Sequence, residues 1–302
     1  MRIAMLGLGD IAQKAYLPIV ANHSKITPIL CTRNREVLTR LQGQYRIAEA
    51  YSELSEVLAA KPDAVMIHSS TDSHFQLARQ CLTADIPVFI DKPISYHFSE
   101  CEQLLNLAAS LNLPLIMGFN RRFAPLYREL AATPAIQVYY QKNRHNLPAQ
   151  ARQYIYDDFI HVLDYLRHCA GCRPDNIEVF AQKQAGLLGA VQVQWQQNGS
   201  LFSGVMNRLN GCNQERLEYY GQNKKWQIDN LSEGTKWQNN QASVLSFSDW
   251  QATLYKRGFV DMIDDMLQQF AQGGNNAGLS QQALDTHQLC EWVVNKVEAP
   301  QC

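Results

Sequence analysis

Four side chains that can bind protons or metals recur along one short stretch, YDDFIHVLDYLRH, residues 156–168. They are Asp157, His161, Asp164 and His168, at steps of four, three and four residues. On an α-helix that spacing puts them on a single face. Such a face can be a metal site, a proton-handling catalytic site or a solvated helix surface, so the rest of the chain has to decide between these alternatives.

The metal alternative has the least support. Aspartate and histidine are both possible ligands of a divalent ion. A catalytic zinc site, however, usually has three protein ligands around an open position, and the H-E-x-x-H spacing is absent from the sequence. Cys169 and Cys172 form a C-x-x-C pair, but there is no second such pair, and its place before a glycine favours a turn at a helix end. We therefore expect no metal.

A second candidate site is the segment AMLGLGDIAQ, which contains Gly7, Gly9 and Ala12 at the G-x-G-x-x-G/A spacing. The segment directly follows an apolar strand and precedes a helix-like stretch. There, the first glycine allows a tight turn, the second lets the backbone approach a pyrophosphate, and the alanine permits close helix packing. The N–H groups at the start of the helix favour phosphates. The pattern predicts a dinucleotide-binding loop, with a plain tight turn as the alternative.

The second strand ends in ILCTRNRE, with Thr32 and Arg33 where an acid for the ribose hydroxyls of NAD is expected. A hydroxyl and a guanidinium suit a 2′-phosphate, because arginine binds phosphate through a planar fork of donors. NADP is therefore favoured over NAD, and a solvated surface arginine is the alternative.

Composition excludes several classes of function. The chain has 302 residues, 46% of them hydrophobic, and a formal net charge of −1. No basic run could neutralise a phosphate backbone or an anionic membrane, so we expect neither nucleic acid nor membrane partners. Eight dispersed cysteines lack the spacing of a disulfide framework, which favours reduced thiols in a cytoplasm.

The first 120 residues alternate short apolar runs, such as IPVFID and LPLIMGF, with helix-length segments. This rhythm predicts a doubly wound parallel sheet in an α/β domain spanning 1–122. Later, AVQVQWQQ alternates apolar residues with glutamines, which predicts an open, mainly antiparallel sheet in an α+β domain spanning 123–302. A helix over 154–170 should pack on one face of that sheet. The other, open face of the sheet should provide the contact of a homo-oligomer.

Together with the glycine loop, the motifs FIDKP, GFNRRF and DDFIHVLD resemble the Gfo/Idh/MocA (glucose-fructose oxidoreductase, inositol dehydrogenase and rhizopine-catabolism) family of oxidoreductases. The resemblance covers essentially the whole chain. The segments HSSTDSHF, GFNRRFAPLY and QATLYKRGF are most similar to its MviM-type members.

The resemblance implies a catalytic set. The family's E-K-P motif corresponds to Asp91, Lys92 and Pro93, and its lysine polarises the substrate oxygen. The family's D-x-x-x-H-x-x-D pattern makes His161 the general acid/base and gives Asp157 an orienting role. The same comparison implies that the substrate meets three further residues, Arg122, Phe159 and Asp164. Phe159 stands where relatives often have glycine, and Asp164 could equally be a supporting hydrogen-bond partner.

The resemblance also implies a set of cofactor contacts beyond Gly7, Gly9, Thr32 and Arg33. They are Asp10, Ile11, Ala12, Ser69, His74, Asp91, Lys92, Asn120 and Arg121. His74 could equally be a packing residue. Lys142, Arg144 and His145 could favour an anionic substrate, but we expect a solvated strand end.

The reaction implied is reversible hydride transfer between NADP(H), or NAD(H), and a secondary alcohol or carbonyl of a sugar, polyol or related metabolite. Lys92 and His161 would then flank the reacting oxygen. A non-catalytic NADP-binding sensor or interaction protein on the same fold is the alternative. The presence of Lys92, Asp157 and His161 together favours catalysis, because sensing requires none of them.

Overall fold

The computed structural model describes residues 1–131 and 133–299, which form two compact units. The first comprises Met1–Gly118 and Phe259–Leu284, and the second comprises Phe119–Gly258 and the described residues after Leu284. The boundary expected at residue 122 thus differs by four residues from the structural one after Gly118. The segment 259–284, expected in the second domain, belongs to the first unit.

The strands and helices follow in chain order. Those of residues 1–118 are β1 (Arg2–Leu6), α1 (Leu17–Val20), β2 (Thr27–Cys31), α2 (Arg35–Tyr45), β3 (Glu49–Tyr51), α3 (Leu54–Ala60), β4 (Ala64–Ile67), α4 (Thr71–Thr83), β5 (Val88–Ile90), α5 (Phe98–Ser110) and β6 (Leu115–Met117). Those of residues 119–298 are α6 (Pro125–Ala131), β7 (Gln137–Asn143), α7 (Ala151–Tyr154), α8 (Ile160–Ala170), β8 (Glu178–Gln184), β9 (Leu187–Gln197), β10 (Ser200–Asn207), β11 (Gln214–Gly221), β12 (Lys224–Asp229), β13 (Glu233–Gln238), β14 (Gln241–Ser246), α9 (Thr253–Lys256), α10 (Phe259–Gln272) and α11 (Ala277–Glu298).

The first unit is built on a six-stranded sheet in the order β3-β2-β1-β4-β5-β6, with every pair parallel. Strands β4 and β5 are buried along their whole length, which explains why their sequences are apolar throughout rather than alternating. The order reverses direction between β1 and β4, and open sheets of this kind bind ligands at the carboxyl ends beside such a point. The predicted doubly wound parallel sheet is confirmed, and its strand order is that of a Rossmann fold.

Helix α10 belongs to the first unit because its apolar face and its polar ends both meet that unit. Phe259 packs edge-on against the ring of Tyr16, with ring centroids 5.4 Å apart. Asp264 lies 2.9 Å from His23, and Asn112 Oδ1 accepts a hydrogen bond from the backbone of Asn275 at 3.0 Å. The helical spacing of Phe259–Gln272 was predicted, but periodicity carries no information about which sheet a helix covers.

The second unit contains an eight-stranded sheet in the order β14-β13-β12-β11-β7-β10-β9-β8. Its pairs are antiparallel except that of β7 with β10. Along β9, Val191, Val193 and Trp195 are buried while the glutamines between them face the other side. A Cβ on Gly204 of β10 would lie 2.8 Å from Val162, so α8 packs closely on this face. The predicted mainly antiparallel sheet is confirmed.

The helix predicted over 154–170 is interrupted. Helix α7 passes into a π-helical turn, Ile155–Phe159, before α8 begins at Ile160. A π-helical turn carries more residues per turn than an α-helix, so simple counting by steps of three and four fails across it. Asp157 is half-buried and its neighbour Asp158 is buried.

Within residues 1–131 and 133–299, no helix has the length and apolarity needed to cross a membrane. The cysteines there are free thiols, and Cys302 lies outside the described residues.

Candidate functional site

A groove of about 710 Å³ opens at the carboxyl ends of the first unit's central strands. It lies where β1, β2 and β4 end, which is the point at which the strand order reverses. Six of the residues expected to contact a cofactor line it: Gly7, Gly9, Asp10, Ile11, Thr32 and Ser69. The groove is therefore in the place where parallel sheets of this type bind dinucleotides.

The two glycines shape the groove in different ways. Gly7 has φ of +84°, and a Cβ there would lie 2.6 Å from the backbone of Ser69. Gly9 is exposed, and a Cβ on it would meet no atom within 4 Å. Gly7 thus permits the turn and the close approach of the loop after β4, whereas Gly9 leaves open space beside the backbone. Ala12, fully buried, begins a π-helical turn, Ala12–Tyr16, and packs inward.

His68 also lines the groove and was not singled out in the sequence. Its ring lies against that of Tyr16, with centroids 4.0 Å apart, and neither ring nitrogen has a hydrogen-bond partner among the described residues. Burial lowers the pKa of His68 to about 3, so the ring is neutral. A neutral imidazole offers one donor and one acceptor. These orphaned polar atoms in the groove fit a ligand with amide or hydroxyl groups.

The end of the groove near β2 contains the groups expected to distinguish NADP from NAD. Thr32 lines the groove, and Arg33 is exposed beside it. Asn34 caps α2 by accepting a hydrogen bond from the backbone of Val37 at 3.1 Å. This cap fixes the start of α2 directly after Arg33, and the arginine side chain itself extends into solvent.

Lys92 follows β5, the next strand beyond β4. The carboxylate of Asp91 accepts hydrogen bonds at 3.0 Å from the hydroxyl of Tyr16 and from the backbone of Lys92. The ring nitrogens of His74 lie 2.8 Å and 3.0 Å from the carbonyl oxygens of Pro93 and Ser69. Asp91 and the buried His74 therefore hold the loops after β4 and β5 in place, and Lys92 is half-buried at the carboxyl end of the sheet.

In the second unit, His161 lies in a buried polar group around Arg121. The guanidinium of Arg121 pairs in a bidentate manner with Glu215 on β11, at 3.0 Å and 3.1 Å. It also donates to Asn120 Oδ1 at 3.0 Å, and its Nη1 lies 3.1 Å from both ring nitrogens of His161. Tyr140 donates a hydrogen bond to Glu215. This places Asn120 and Arg121, both expected to contact the cofactor, in a network within the second unit.

Arg122, Asp164 and Phe159, expected to meet the substrate, are held by contacts inside the second unit. Asp164 is buried, forms an ion pair with Arg122 and accepts a hydrogen bond from Thr286 at 2.9 Å. Although burial works to raise the pKa of Asp164, the charge of Arg122 outweighs it and lowers that pKa. Phe159 is fully buried among core residues. These contacts favour the supporting role for Asp164, which stays a prediction.

Asp158 was overlooked in the sequence, although it is a buried acid that pairs with three cations. It forms ion pairs with Lys142, Arg144 and Arg208. Lys142 is 2% exposed, so its prediction as part of a solvated strand end was wrong. The signal was available: Tyr140 and Lys142 alternate with Gln141 on β7, which places the lysine on the face that α8 covers.

Among the described residues, no group of three or more His, Cys, Asp or Glu side chains could hold a metal ion.

Replacing Gly7 should displace the loop that it forms and so distort the groove. In Gly7→Ala, the added Cβ meets the Ser69 backbone at a φ that L-residues rarely adopt, so we expect dinucleotide affinity to fall at least about tenfold. Titration of the protein with NADP and NAD measures this. Gly43→Ala, on the exposed side of α2 with open space around the Cβ, is the matched control and should bind normally.

Removing the carboxylate of Glu215 should destabilise the protein in a pH-dependent way. Burial works to raise the pKa of Glu215, but the charge of Arg121 outweighs it and lowers the pKa from 4.5 to about 2. The stabilisation is thus present above about pH 4.5 and lost as the pH falls towards about 2. At neutral pH, Glu215→Gln should cost about 3–5 kcal/mol because Arg121 loses its partner.

Urea unfolding at a series of pH values provides the measurement. The difference between wild type and Glu215→Gln should narrow on acidification, whereas the exposed Glu233→Gln should show little difference at any pH. A difference that stays constant down to the acid limit would contradict the role given to this ion pair.

The comparisons with known proteins agree with this geometry. The family model described as "Oxidoreductase family, NAD-binding Rossmann fold" matches residues 1–119. The Salmonella typhimurium protein YceM is 30% identical over 266 residues, which cover 86% of each chain. A crystal structure of a Gfo/Idh/MocA family oxidoreductase from Vibrio cholerae superposes with a TM-score of 0.94 at 38% identity, covering 98% of both chains. The MviM dehydrogenase of Clostridium difficile has a TM-score of 0.93 at 25% identity, covering 98% of this chain and 99% of that one. With the motifs, the Rossmann sheet and these relatives in agreement, the chain belongs to the Gfo/Idh/MocA family of NAD-binding oxidoreductases.

Proposed function

We propose that the protein is an NADP-dependent dehydrogenase or reductase that interconverts a secondary alcohol and a carbonyl on a sugar, polyol or related metabolite. The observation that carries this proposal is the groove at the strand-order reversal, with the tight Gly7 turn, the open backbone at Gly9 and the unpartnered ring of His68. Family membership supports the redox chemistry. The proposed cofactor and the proposed catalytic groups rest on individual residues.

The first unit holds the cofactor. The loop from Gly7 to Ala12 offers backbone N–H groups to the pyrophosphate, and Ser69 adds a hydroxyl from the loop after β4. Thr32 and Arg33 bind the 2′-phosphate that distinguishes NADP from NAD. The bound nicotinamide accepts or donates the hydride, while the protein supplies binding, orientation and charge.

The reacting oxygen is handled by three side chains. Lys92 provides an ammonium that stabilises a developing alkoxide or polarises a carbonyl. His161 takes the alcohol proton in one direction and returns it in the other. Asp157, half-buried in the π-helical turn, orients His161 or binds a substrate hydroxyl.

The second unit also carries the proposed assembly. The open face of its sheet presents glutamines and Tyr139 beside a cavity of about 760 Å³, and we assign this face to a homo-oligomer contact. Free thiols among the described cysteines are consistent with a reducing cytoplasm.

Turnover should depend on Lys92 and His161. In Lys92→Met and His161→Gln, we expect kcat to fall roughly 10²–10⁴-fold because charge stabilisation or proton transfer is lost. The assay follows nicotinamide reduction over a panel of sugars and polyols, with NADP affinity titrated in parallel and retained. The exposed Lys25→Met is the matched control. Cofactor binding without turnover, unaffected by Lys92→Met, would instead identify a sensor.

Cofactor choice should depend on Arg33. Arg33→Gln should raise the KM for NADP by about tenfold or more, since a charge-assisted hydrogen bond to phosphate is lost, and should leave the KM for NAD nearly unchanged. Arg35→Gln, an exposed arginine at the start of α2, should change neither value. Equal effects on the two cofactors would exclude a 2′-phosphate contact for Arg33.

A further inference from the structure

Three cations surround one carboxylate in the second unit, in what we name the Asp158 cluster: Asp158, Lys142, Arg144 and Arg208. Arg144 donates to both oxygens of Asp158, at 2.7 Å and 3.0 Å. Arg208 donates to Oδ2 at 3.2 Å, and Lys142 donates to Oδ1. Each carboxylate oxygen thus accepts two hydrogen bonds, so its acceptor capacity is used.

The charges in the Asp158 cluster do not balance. When Lys142 is protonated, two positive charges remain after Asp158 is counted. The neighbouring acid Glu215 attracts Lys142, but its bidentate partner Arg121 repels Lys142, so this pair leaves the excess in place. Lys142 is 2% exposed and Arg208 7% exposed, so solvent can screen neither of them well. Buried charges in proteins are normally paired, because an unpaired one carries a large desolvation cost.

Two observations within the cluster reflect this excess of positive charge. Arg208 Nε is buried and has no hydrogen-bond partner within the described chain, although the guanidinium stacks 4.7 Å from the centre of the Tyr154 ring. Burial, together with the charge of Arg121, outweighs the attraction of Asp158 and lowers the pKa of Lys142 to about 7. Unused donor capacity and a destabilised ammonium both favour an additional negative charge.

The cluster belongs to the same side of the sheet as His161. Lys142 of β7 lies directly opposite Glu215 of β11 in the strand register. Glu215 holds Arg121, whose Nη1 is 3.1 Å from the His161 ring. Asp158 lies three residues before His161 in the chain. Between the cluster and His161 there are thus one cross-strand pair and one ion pair, all inside one unit.

Arg144 connects the cluster with solvent. Its side chain is 37% exposed, and His145, which follows it, is exposed as well. Of the three cations, Arg144 is therefore the one that a ligand in solvent would meet first.

We propose that the substrate carries an oxyanion group, a carboxylate or a phosphate, and that Lys142, Arg144 and Arg208 bind it. The turnover aspect of this inference rests on the proposed dehydrogenase function, whereas the anion-binding aspect does not. The substrate class is then a sugar acid or a sugar phosphate rather than a neutral sugar or polyol. The planar guanidinium groups suit either oxyanion, because both present paired oxygens.

The test compares each acidic probe with its neutral congener. Glucuronate, gluconate and glucose-6-phosphate are titrated calorimetrically against the full-length protein, with glucose and glucitol as neutral partners, and the same compounds are assayed for turnover with NADP and NAD. At least one acidic probe should bind about tenfold or more tightly than its congener, as expected for a charge-assisted hydrogen bond. The uronate and phosphate arms distinguish the two sources of the oxyanion.

Variants of the Asp158 cluster test whether its cations cause the preference for acidic over neutral probes. Lys142→Met should reduce the ratio of acidic to neutral affinity about tenfold or more, and the more exposed Arg144→Gln should reduce it in the same direction. Arg144→Gln decides the matter if the buried Lys142→Met does not fold. Arg216→Gln, which removes a half-buried arginine paired with Asp229 on the same sheet, is the matched control and should keep the ratio.

The outcomes separate this inference from the proposed function. Turnover of neutral sugars with no acidic probe bound more tightly than its congener overturns the inference and leaves the function standing. A preference that survives both cluster variants overturns it as well. Tight binding of an acidic probe that is lost in the variants supports the inference even if no nicotinamide is reduced, and in that case it is the proposed function that fails.

Discussion

The buried ion pair between Arg121 and Glu215 is the constraint on which the polar half of the second unit depends. One guanidinium joins a turn that follows the Rossmann sheet in sequence, a strand of the second sheet and the ring of His161. Because five donors are fixed in one plane, the position of each partner is determined by the others. A lysine could neutralise Glu215 but could not hold three groups in this geometry. Arg121 therefore orders the residues around the histidine rather than only balancing a charge.

The first unit differs, because the backbone of its glycine loop is left accessible to a ligand instead of being paired within the protein. Gly7 brings two loops together, and Gly9 keeps the space beside them open. Around them, Asp91, Tyr16 and His74 fix the loops at the ends of β4 and β5 through hydrogen bonds. The loops at the rim of the groove are therefore fixed, while the backbone at Gly9 stays open. A ligand that binds mainly through backbone groups requires both.

The sequence predicted the features that depend on local rules. The glycine spacing, the apolar parallel strands and the alternation in β9 each follow from the conformations of a few neighbouring residues. The overlooked features depend on distant partners. The alternation along β7 places Lys142 on the covered face, but it does not identify the carboxylate that pairs with this lysine. That carboxylate, Asp158, lies in a π-helical turn, across which counting by steps of three and four fails. His68 is unpaired only because Tyr16 and Phe89 surround it. Helix α10 shows the same limit, since its amphipathic pattern does not say which unit it covers.

The π-helical turn at Ile155–Phe159 has a consequence for how this protein can diverge from its relatives. The turn gives two adjacent aspartates separate surroundings, one half-buried and the other enclosed by cations. Mutation can therefore alter the cationic surroundings of Asp158 without touching Asp157, four residues before the histidine. Under the proposed roles of these residues, substrate selection and proton transfer depend on different side chains of one short turn. Each can then change in evolution without the other.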